Sequence, residues 1–414
     1  MTNSTLIRDL PDLIGQTATI KGWVATTRSS GKIAFVVVRD GTGHLQCVLV
    51  KNETDAGTWE AFGELTQEAS LCVTGIVKED SRSPGGVELA VSQLERLGPS
   101  VDFPITKKEH GTSFLFDKRH LWLRSRRQVA IMRVRHEIIQ AIRDFFYERD
   151  FVLVDTPLLT GAIGESTGNL FETEYFEFGK AYLAQTGQLY LEAAAAALGR
   201  VYCFGPTFRA EKSKTRRHLA EFWMVEPEVV VERCLDRRKQ ELETLERDCS
   251  PLERVSPPFH RISYTEAVAQ LSATDSDIKW GDDLGAEDET RIAEKFDRPV
   301  FVYNYPKGAK AFYMKENPDD PRTVLCDDCL APEGYGEIIG GSQREDDHDR
   351  LLSRIREENL PEEAYGWYLD LRKYGTFVHS GFGLGVERTV AWICGVPHIR
   401  EVIAFPRMMT KLYP

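Results

Sequence analysis

No uninterrupted apolar run in these 414 residues is long enough to cross a bilayer as a helix. The N-terminal stretch MTNSTLIRDLPDL lacks a basic head followed by an apolar core, so a cytoplasmic protein with no membrane partner is expected. Eight cysteines are scattered along the chain. Only Cys326 and Cys329 come close, as CDDC, and the second pair that a zinc ribbon needs is missing, so reduced thiols are expected. Positive charge is also short: the formal net charge is −12, opposite in sign to the surface that phosphate binding uses. The sum conceals local charge, however. Basic residues gather at Arg124–Arg127 and Lys212–Arg217, while acids gather at Asp236–Glu246, Asp346–Asp349 and Glu357–Glu363, so a local positive face survives. With 42% hydrophobic residues the chain can bury a large core, and its length suits two domains.

Residues 1–98 read as short strands separated by turns, at Thr17–Val24, Ile33–Val38, Leu45–Val50, Ser70–Val77 and Val87–Leu94. Gly41 to Gly43 supplies one hairpin turn and SRSPGG another. Five such strands suit an OB-fold barrel, whose open face binds single-stranded nucleic acid by stacking bases on aromatics. Taken on its residues alone, Phe35 reads first as a core aromatic of the run IAFVVV. Residues 99–127 contain proline and many charges without clean periodicity, as a hinge would. From residue 128 to 414 a second domain is expected, opening on a helix in which Ile131, Val134, Ile138, Ile142 and Phe145 recur at helical spacing.

Two segments of that domain carry chemistry. Phe208 to Glu228, FRAEKSKTRRHLAEFWMVEPE, sets an arginine, a basic loop and paired glutamates on two expected strands. An ordinary amphipathic hairpin with Phe208, Phe222, Met224 and Val225 inward would also show separated charges. Downstream, GFGLGVER crowds three glycines before an expected helix that bears Arg388 on its first turns. Glycine admits close backbone approach, and a fixed guanidinium grips phosphate oxygens with two parallel hydrogen bonds. Together the two segments suit a bound polyphosphate.

In order and spacing these segments resemble the class II aminoacyl-tRNA synthetases of the aspartate, asparagine and lysine subgroup, most closely the asparaginyl-tRNA synthetase branch. The likeness spans nearly the whole chain. Motif 1 of the family corresponds to the helix and strand ending at Pro157, motif 2 to Phe208–Glu228 and motif 3 to Gly381–Arg388. GQLYLEA at Gly187–Ala193, KAFYMK at Lys310–Lys315, GEIIGGSQRE at Gly336–Glu345 and WYLDLRKYGT at Trp367–Thr376 match further signatures of that branch. The resemblance implies an α+β chain: an N-terminal OB-fold β-barrel that binds the anticodon, plus a class II synthetase catalytic domain built on an antiparallel β-sheet flanked by helices. It also implies a homodimer, formed through the motif 1 helix and strand.

Such an enzyme joins an amino-acid carboxylate to the α-phosphate of ATP, which positioning and electrostatics achieve without a protein nucleophile. By matching family positions, Arg209 is assigned to the α-phosphate and substrate carboxylate and Arg388 to the γ-phosphate, these two being the catalytic pair. Glu211, His218, Phe222 and Gly385 surround the nucleotide, with Phe222 stacked on adenine; as a lone residue His218 reads more often as a surface-loop histidine. Asp328 and Glu337 match carboxylates that hold Mg2+ on the phosphates, with Asp327 the competitor of Asp328 because this chain has one residue more than usual between Pro332 and Glu337. Arg28, Phe35, Gln46 and Glu88 match positions that read the tRNA anticodon.

The expected amino-acid site comprises Glu165, Gln188, Glu226, Ser342, Arg344 and His379, with Ser380 beside it. Gln188 and Glu165 would hold the ammonium, Glu165 from the loop GAIGESTG, which is expected to close over the site. Arg344 donates to a carbonyl oxygen and Glu226 accepts from an amide NH2, a roughly neutral pair that fits asparagine. Aspartyl enzymes carry a lysine where this chain has Leu191, and aspartate here would meet Glu226 without that cation. The expectation is ligation of asparagine to tRNA(Asn) with ATP and Mg2+. Aspartyl-tRNA ligation, an aspartate-activating amide ligase and a nucleic-acid-binding regulatory paralogue stand as alternatives. One departure is that the charged stretch between Glu232 and Pro258 is shorter than the insertion usual in the asparaginyl branch.

Overall fold

The computed structural model describes residues 4–162, 164, 170–212, 215–225, 237–409 and 411–412. The chain divides into two compact units, Met1–Leu115 and Phe116–Pro414.

Five strands close the first unit into a barrel: β1 (Thr17–Ser30), β2 (Ile33–Arg39), β3 (His44–Val50), β4 (Ser70–Glu79) and β5 (Val87–Gly98), in the order β1-β2-β3-β5-β4. All pairs are antiparallel except β3 with β5, the arrangement of an OB-fold. Alternation along β2 turns Ala34, Val36 and Val38 into the core and leaves Phe35 on the outer side, half-buried. β1 runs six residues past its expected end at Val24. An irregularity between Val24 and Thr26 lets one strand pair with β4 through Trp23 and with β2 through Ser30, and so bend around the barrel. The turn after β2 is tied by Asp40, whose Oδ1 accepts from the backbone N–H groups of Thr42 (2.8 Å) and Gly43 (3.1 Å).

In the second unit a five-stranded sheet runs in the order His260–Ser263, Val300–Tyr303, Cys326–Ala331, Gly336–Gln343, Ser380–Leu384. It is antiparallel apart from the first pair, which is parallel because the helices Tyr264–Leu271 and Ala286–Ala293 form a crossover between those strands. The helix Arg126–Tyr147 buries Ile131, Val134, Ile138 and Ile142 as its spacing predicts, with Phe146 rather than Phe145 completing the stripe. These side chains share a core with Val386, Val390 and Ile393 of the helix Val386–Cys394. Residues 116–127, the second half of the stretch read as a hinge, belong to this unit. Arg119 is buried there, and its guanidinium donates to the carbonyls of Glu401 (3.1 Å) and Ala404 (2.8 Å).

Candidate active site

Motifs 2 and 3 meet through backbone. The hairpin Pro206–Phe208/Glu221–Trp223 runs on into a bridge between Met224 and Gly385 and a hydrogen bond from the Val225 N–H to the Leu384 carbonyl. Glu387 locks the junction: its buried carboxylate pairs with Arg135 of the long helix at 2.8 Å and accepts from the Trp223 N–H at 2.8 Å. Arg388 is the next residue on that helix.

All seven residues expected around ATP, namely Arg209, Glu211, His218, Phe222, Glu337, Gly385 and Arg388, line one cavity. Arg209 lies with its guanidinium 5.6 Å from the centre of the Phe222 ring, and among the described residues its buried Nε has no hydrogen-bond partner. Arg388 donates from Nη1 to the Glu337 carbonyl at 2.7 Å and stands 3.5 Å from the Glu337 carboxylate. Burial, and after it the neighbouring charge of Arg388, hold His218 below its usual pKa. Two further residues that the sequence did not single out shape the cavity. Arg217 fastens the motif 2 loop to Ala286 O (3.1 Å), Thr290 and Gly334, and pairs with Glu289 at 3.3 Å. Glu289, whose Oε2 accepts from the Glu337 N–H, is pushed up to about 7 by burial and by the charge of Glu337.

Strand alternation separates Asp327 from Asp328. A Cβ added at Gly340 would sit 3.0 Å from Glu337 Oε1 and 3.3 Å from Asp328 Oδ1, so those carboxylates converge on the face that Gly340 leaves open. A Cβ at Gly341 would instead meet Asp327 Oδ1 at 2.9 Å, on the opposite face. Asp328 is bound by Lys310 Nζ at 2.7 Å. Burial raises the Asp328 pKa, and Glu337 adds to that against the opposing charge of Lys310; Glu337 itself is held low by Arg388, Lys310 and Arg209 in spite of its burial. Two converging carboxylates, of which Glu337 lines the cavity, are a hard-oxygen donor set that fits Mg2+.

Three of the residues expected to bind the amino acid, Gln188, Arg344 and His379, gather on one buried carboxylate that sequence reasoning missed, Glu192. It accepts from Gln188 Nε2 (3.1 Å), Tyr368 OH (2.8 Å), Arg372 Nη2 (2.7 Å) and His379 Nε2 (2.9 Å), with Arg344 Nε at 3.9 Å. Gln188 is therefore engaged by Glu192. Arg344 also donates to Ser342 Oγ and lies 5.1 Å from the Tyr313 ring centre. The available signal was i,i+4 spacing: Gln188 and Glu192 share one helix face, as do Tyr368 and Arg372. Ser380 is not in this cluster, because alternation turns it to the rear of the sheet. Glu165 and Glu226 lie outside the described residues.

A larger cavity of about 490 Å³ lies on that rear face, lined by Arg261, Tyr303, Asp327, Gln343, Ser380 and Phe382 among others. It contains none of the residues expected around ATP, and its size does not make it the site of chemistry.

On the barrel, the four anticodon candidates form one chain of contacts. Arg28 of β1 stands opposite Phe35 of β2, its guanidinium 4.2 Å from the ring centre. It donates to Gln46 Oε1 at 3.2 Å, and Gln46 Nε2 donates to Glu88 Oε2 at 3.3 Å.

A cavity lined by Arg209, Arg217 and Arg388 beside a mostly antiparallel sheet, in a chain that also carries an OB barrel, points to one class of protein. The model for tRNA synthetases class II (D, K and N) matches residues 112–409 and that for the OB-fold nucleic acid binding domain matches residues 18–97. The chain belongs to the class II tRNA synthetases of the D, K and N group. Within that group it aligns end to end with asparagine–tRNA ligases. That of Sorangium cellulosum is 55% identical over 98% of both chains, and that of Chloroflexus aurantiacus 53% identical over 97% of both. The crystal structure of asparaginyl-tRNA synthetase from Pyrococcus horikoshii complexed with asparaginyl-adenylate superposes with a TM-score of 0.96, at 46% identity and 100% coverage of both chains.

Proposed function

We propose that the chain is an AMP-forming asparagine–tRNA ligase, which activates asparagine to asparaginyl-adenylate and transfers it to tRNA(Asn). The single observation that carries this is the coincidence of all seven ATP residues in one cavity, in a chain whose whole length superposes on a synthetase holding asparaginyl-adenylate.

In the first step the asparagine carboxylate attacks the α-phosphate, a C–O–P linkage forms and pyrophosphate leaves. Arg209, with its unshared Nε donor, neutralises the two anions as they meet, and Phe222 stacks on the adenine. Arg388, steadied by the Glu337 carbonyl and through Glu387, grips the γ-phosphate end. Asp328 and Glu337 would hold Mg2+, which supplies positive charge to the phosphate oxygens. In the second step a terminal ribose hydroxyl of the tRNA attacks the adenylate carbonyl and AMP leaves. Arg28, Phe35, Gln46 and Glu88 read the anticodon on the barrel, and the enzyme works in the cytoplasm, where its tRNA is.

We read the chain as a homodimer. Val152, Leu153, Leu158 and Leu159, in the segment just after the long helix, are 42–44% exposed apolar residues that a second copy would cover. Light scattering should return twice the 47.0 kDa chain mass; a monomer at micromolar concentration contradicts the reading.

ATP–pyrophosphate exchange with asparagine or with aspartate tests the activity. Asparagine-dependent exchange is expected, and exchange with aspartate alone would overturn the substrate assignment. Among the described residues no helix is long and apolar enough to cross a membrane.

A further inference from the structure

We propose that Glu192 is the charge-setting and positioning residue of the amino-acid pocket, the carboxylate that makes the pocket favour a neutral amide side chain over a carboxylate; this deepens, and rests on, the asparagine reading above. Three nitrogen-bearing side chains converge on it. Arg372 Nη2 is 2.7 Å from Oε2, His379 Nε2 is 2.9 Å from the same oxygen, and Arg344 Nε is 3.9 Å from Oε1. Among the described residues no other carboxylate pairs with any of the three. Left to themselves, two guanidiniums and an imidazole would attract an anionic side chain strongly in so buried a place. With Glu192 between them, an incoming carboxylate meets a fixed negative charge at the position where it would seek the arginine. An amide meets no such repulsion, and its NH2 can turn toward the carboxylate.

The same contacts make Glu192 a geometric hub. Its side chain is 4% exposed, and Gln188, Tyr368, Arg372 and His379 all donate to it. Gln188 and Glu192 sit one helical turn apart on Gln188–Leu198, while Arg372 comes from the helix Gly366–Lys373 and His379 from the segment before the last sheet strand. Fixing one carboxylate therefore fixes Gln188, Arg344 and His379 relative to one another. Close approach supports this on the far side, where a Cβ at Gly381 would lie 2.8 Å from Arg344 Nη2. Burial alone would favour a neutral Glu192, but the His379 hydrogen bond and the charges of Arg372 and Arg344 outweigh it and bring the pKa to about 2. The group is thus ionised wherever the enzyme works. This charge is separate from the one expected of Glu226, which belongs to a different motif of the sequence.

The test is ATP–pyrophosphate exchange by the full-length protein with asparagine and aspartate in parallel, for wild type, Glu192→Gln, Arg372→Gln, the double variant and Tyr368→Phe, each with a thermal melt. Glu192→Gln should lower kcat/KM for asparagine and raise the aspartate-to-asparagine ratio at least about tenfold, a one-unit charge change at short range. Arg372→Gln should move the ratio the other way, and the double variant should return it toward wild type. Tyr368→Phe removes a hydrogen bond without a charge and should keep the ratio within about twofold. Equal loss with both amino acids in Glu192→Gln, or a double variant whose ratio does not return, would overturn the proposal. If Glu192→Gln does not melt cooperatively, the Arg372→Gln ratio decides, and an unmoved ratio there overturns it. A wild type that exchanges with aspartate alone fails the asparagine reading itself; normal wild-type selectivity with an unmoved Glu192→Gln ratio fails only this inference.

Discussion

Replacing Phe35 by alanine should separate the two halves of the reaction. Phe35 projects from the outer side of β2 between the buried Ala34 and Val36, so its removal opens no cavity in the barrel core. What is lost inside the protein is the Arg28 contact, 4.2 Å from guanidinium to ring centre, worth about 0.5–1 kcal/mol at an exposed site. A base stacked on an aromatic side chain contributes about 1–3 kcal/mol, so kcat/KM for tRNA charging should fall about 5- to 150-fold. Activation of the amino acid needs no anticodon. The assay pairs steady-state charging of tRNA(Asn) with tRNA-free ATP–pyrophosphate exchange and a thermal melt, and exchange should stay within about twofold of wild type. Parallel loss in both assays would make Phe35 a structural residue, and unchanged charging would remove it from recognition.

The facing of two adjacent aspartates gives a second prediction: Asp328→Asn should reduce exchange at least about a hundredfold, whereas Asp327→Asn, on the rear of the sheet, should leave it within about threefold. Equal losses would show that strand alternation does not decide the metal ligand. Glu289 predicts a pH dependence of stability. Its folded pKa, about 7, is raised above the ordinary 4.5, so its contribution is fully present below about 4.5 and is lost as pH rises through about 7. The difference corresponds to at most about 3 kcal/mol. Glu289→Gln, neutral throughout, should therefore show a smaller fall in melting temperature between pH 5 and pH 8 than wild type, and equal falls would refute the assignment. Leu191→Lys places a cation next to Glu192 in sequence and should weaken asparagine kcat/KM while strengthening that for aspartate; unchanged asparagine kinetics would take Leu191 out of the specificity argument.

The barrel was legible because its strands alternate with period two between turn signals. The extension of β1 was not, since the irregularity at Val24/Thr26 breaks the alternation that marks a strand. Phe35 read as core because IAFVVV is apolar throughout; only the register, with Ala34, Val36 and Val38 inward, decides otherwise. The residues expected around ATP could be read as one group because two short motifs hold nearly all of them, and they do line one cavity. Glu192 was not assigned a role, because Arg344, Arg372 and His379 lie more than 150 residues away in the chain and the only local signal, its i,i+4 spacing from Gln188, does not say what it meets. Arg217 likewise reads as one charge in a basic loop until Thr290 and Gly334 are brought beside it. Adjacent carboxylates such as Asp327 and Asp328 are equivalent in a sequence, whereas in a sheet they face opposite ways.

The most direct test of the asparagine assignment is the identity of the amino acid esterified to tRNA. Purified tRNA(Asn) should be incubated with the enzyme, ATP, Mg2+ and an equimolar mixture of asparagine and aspartate, and the terminal aminoacyl-adenosine resolved by mass. Asparaginyl-adenosine should dominate; aspartyl-adenosine as the main product, or no ester at all, would contradict the account.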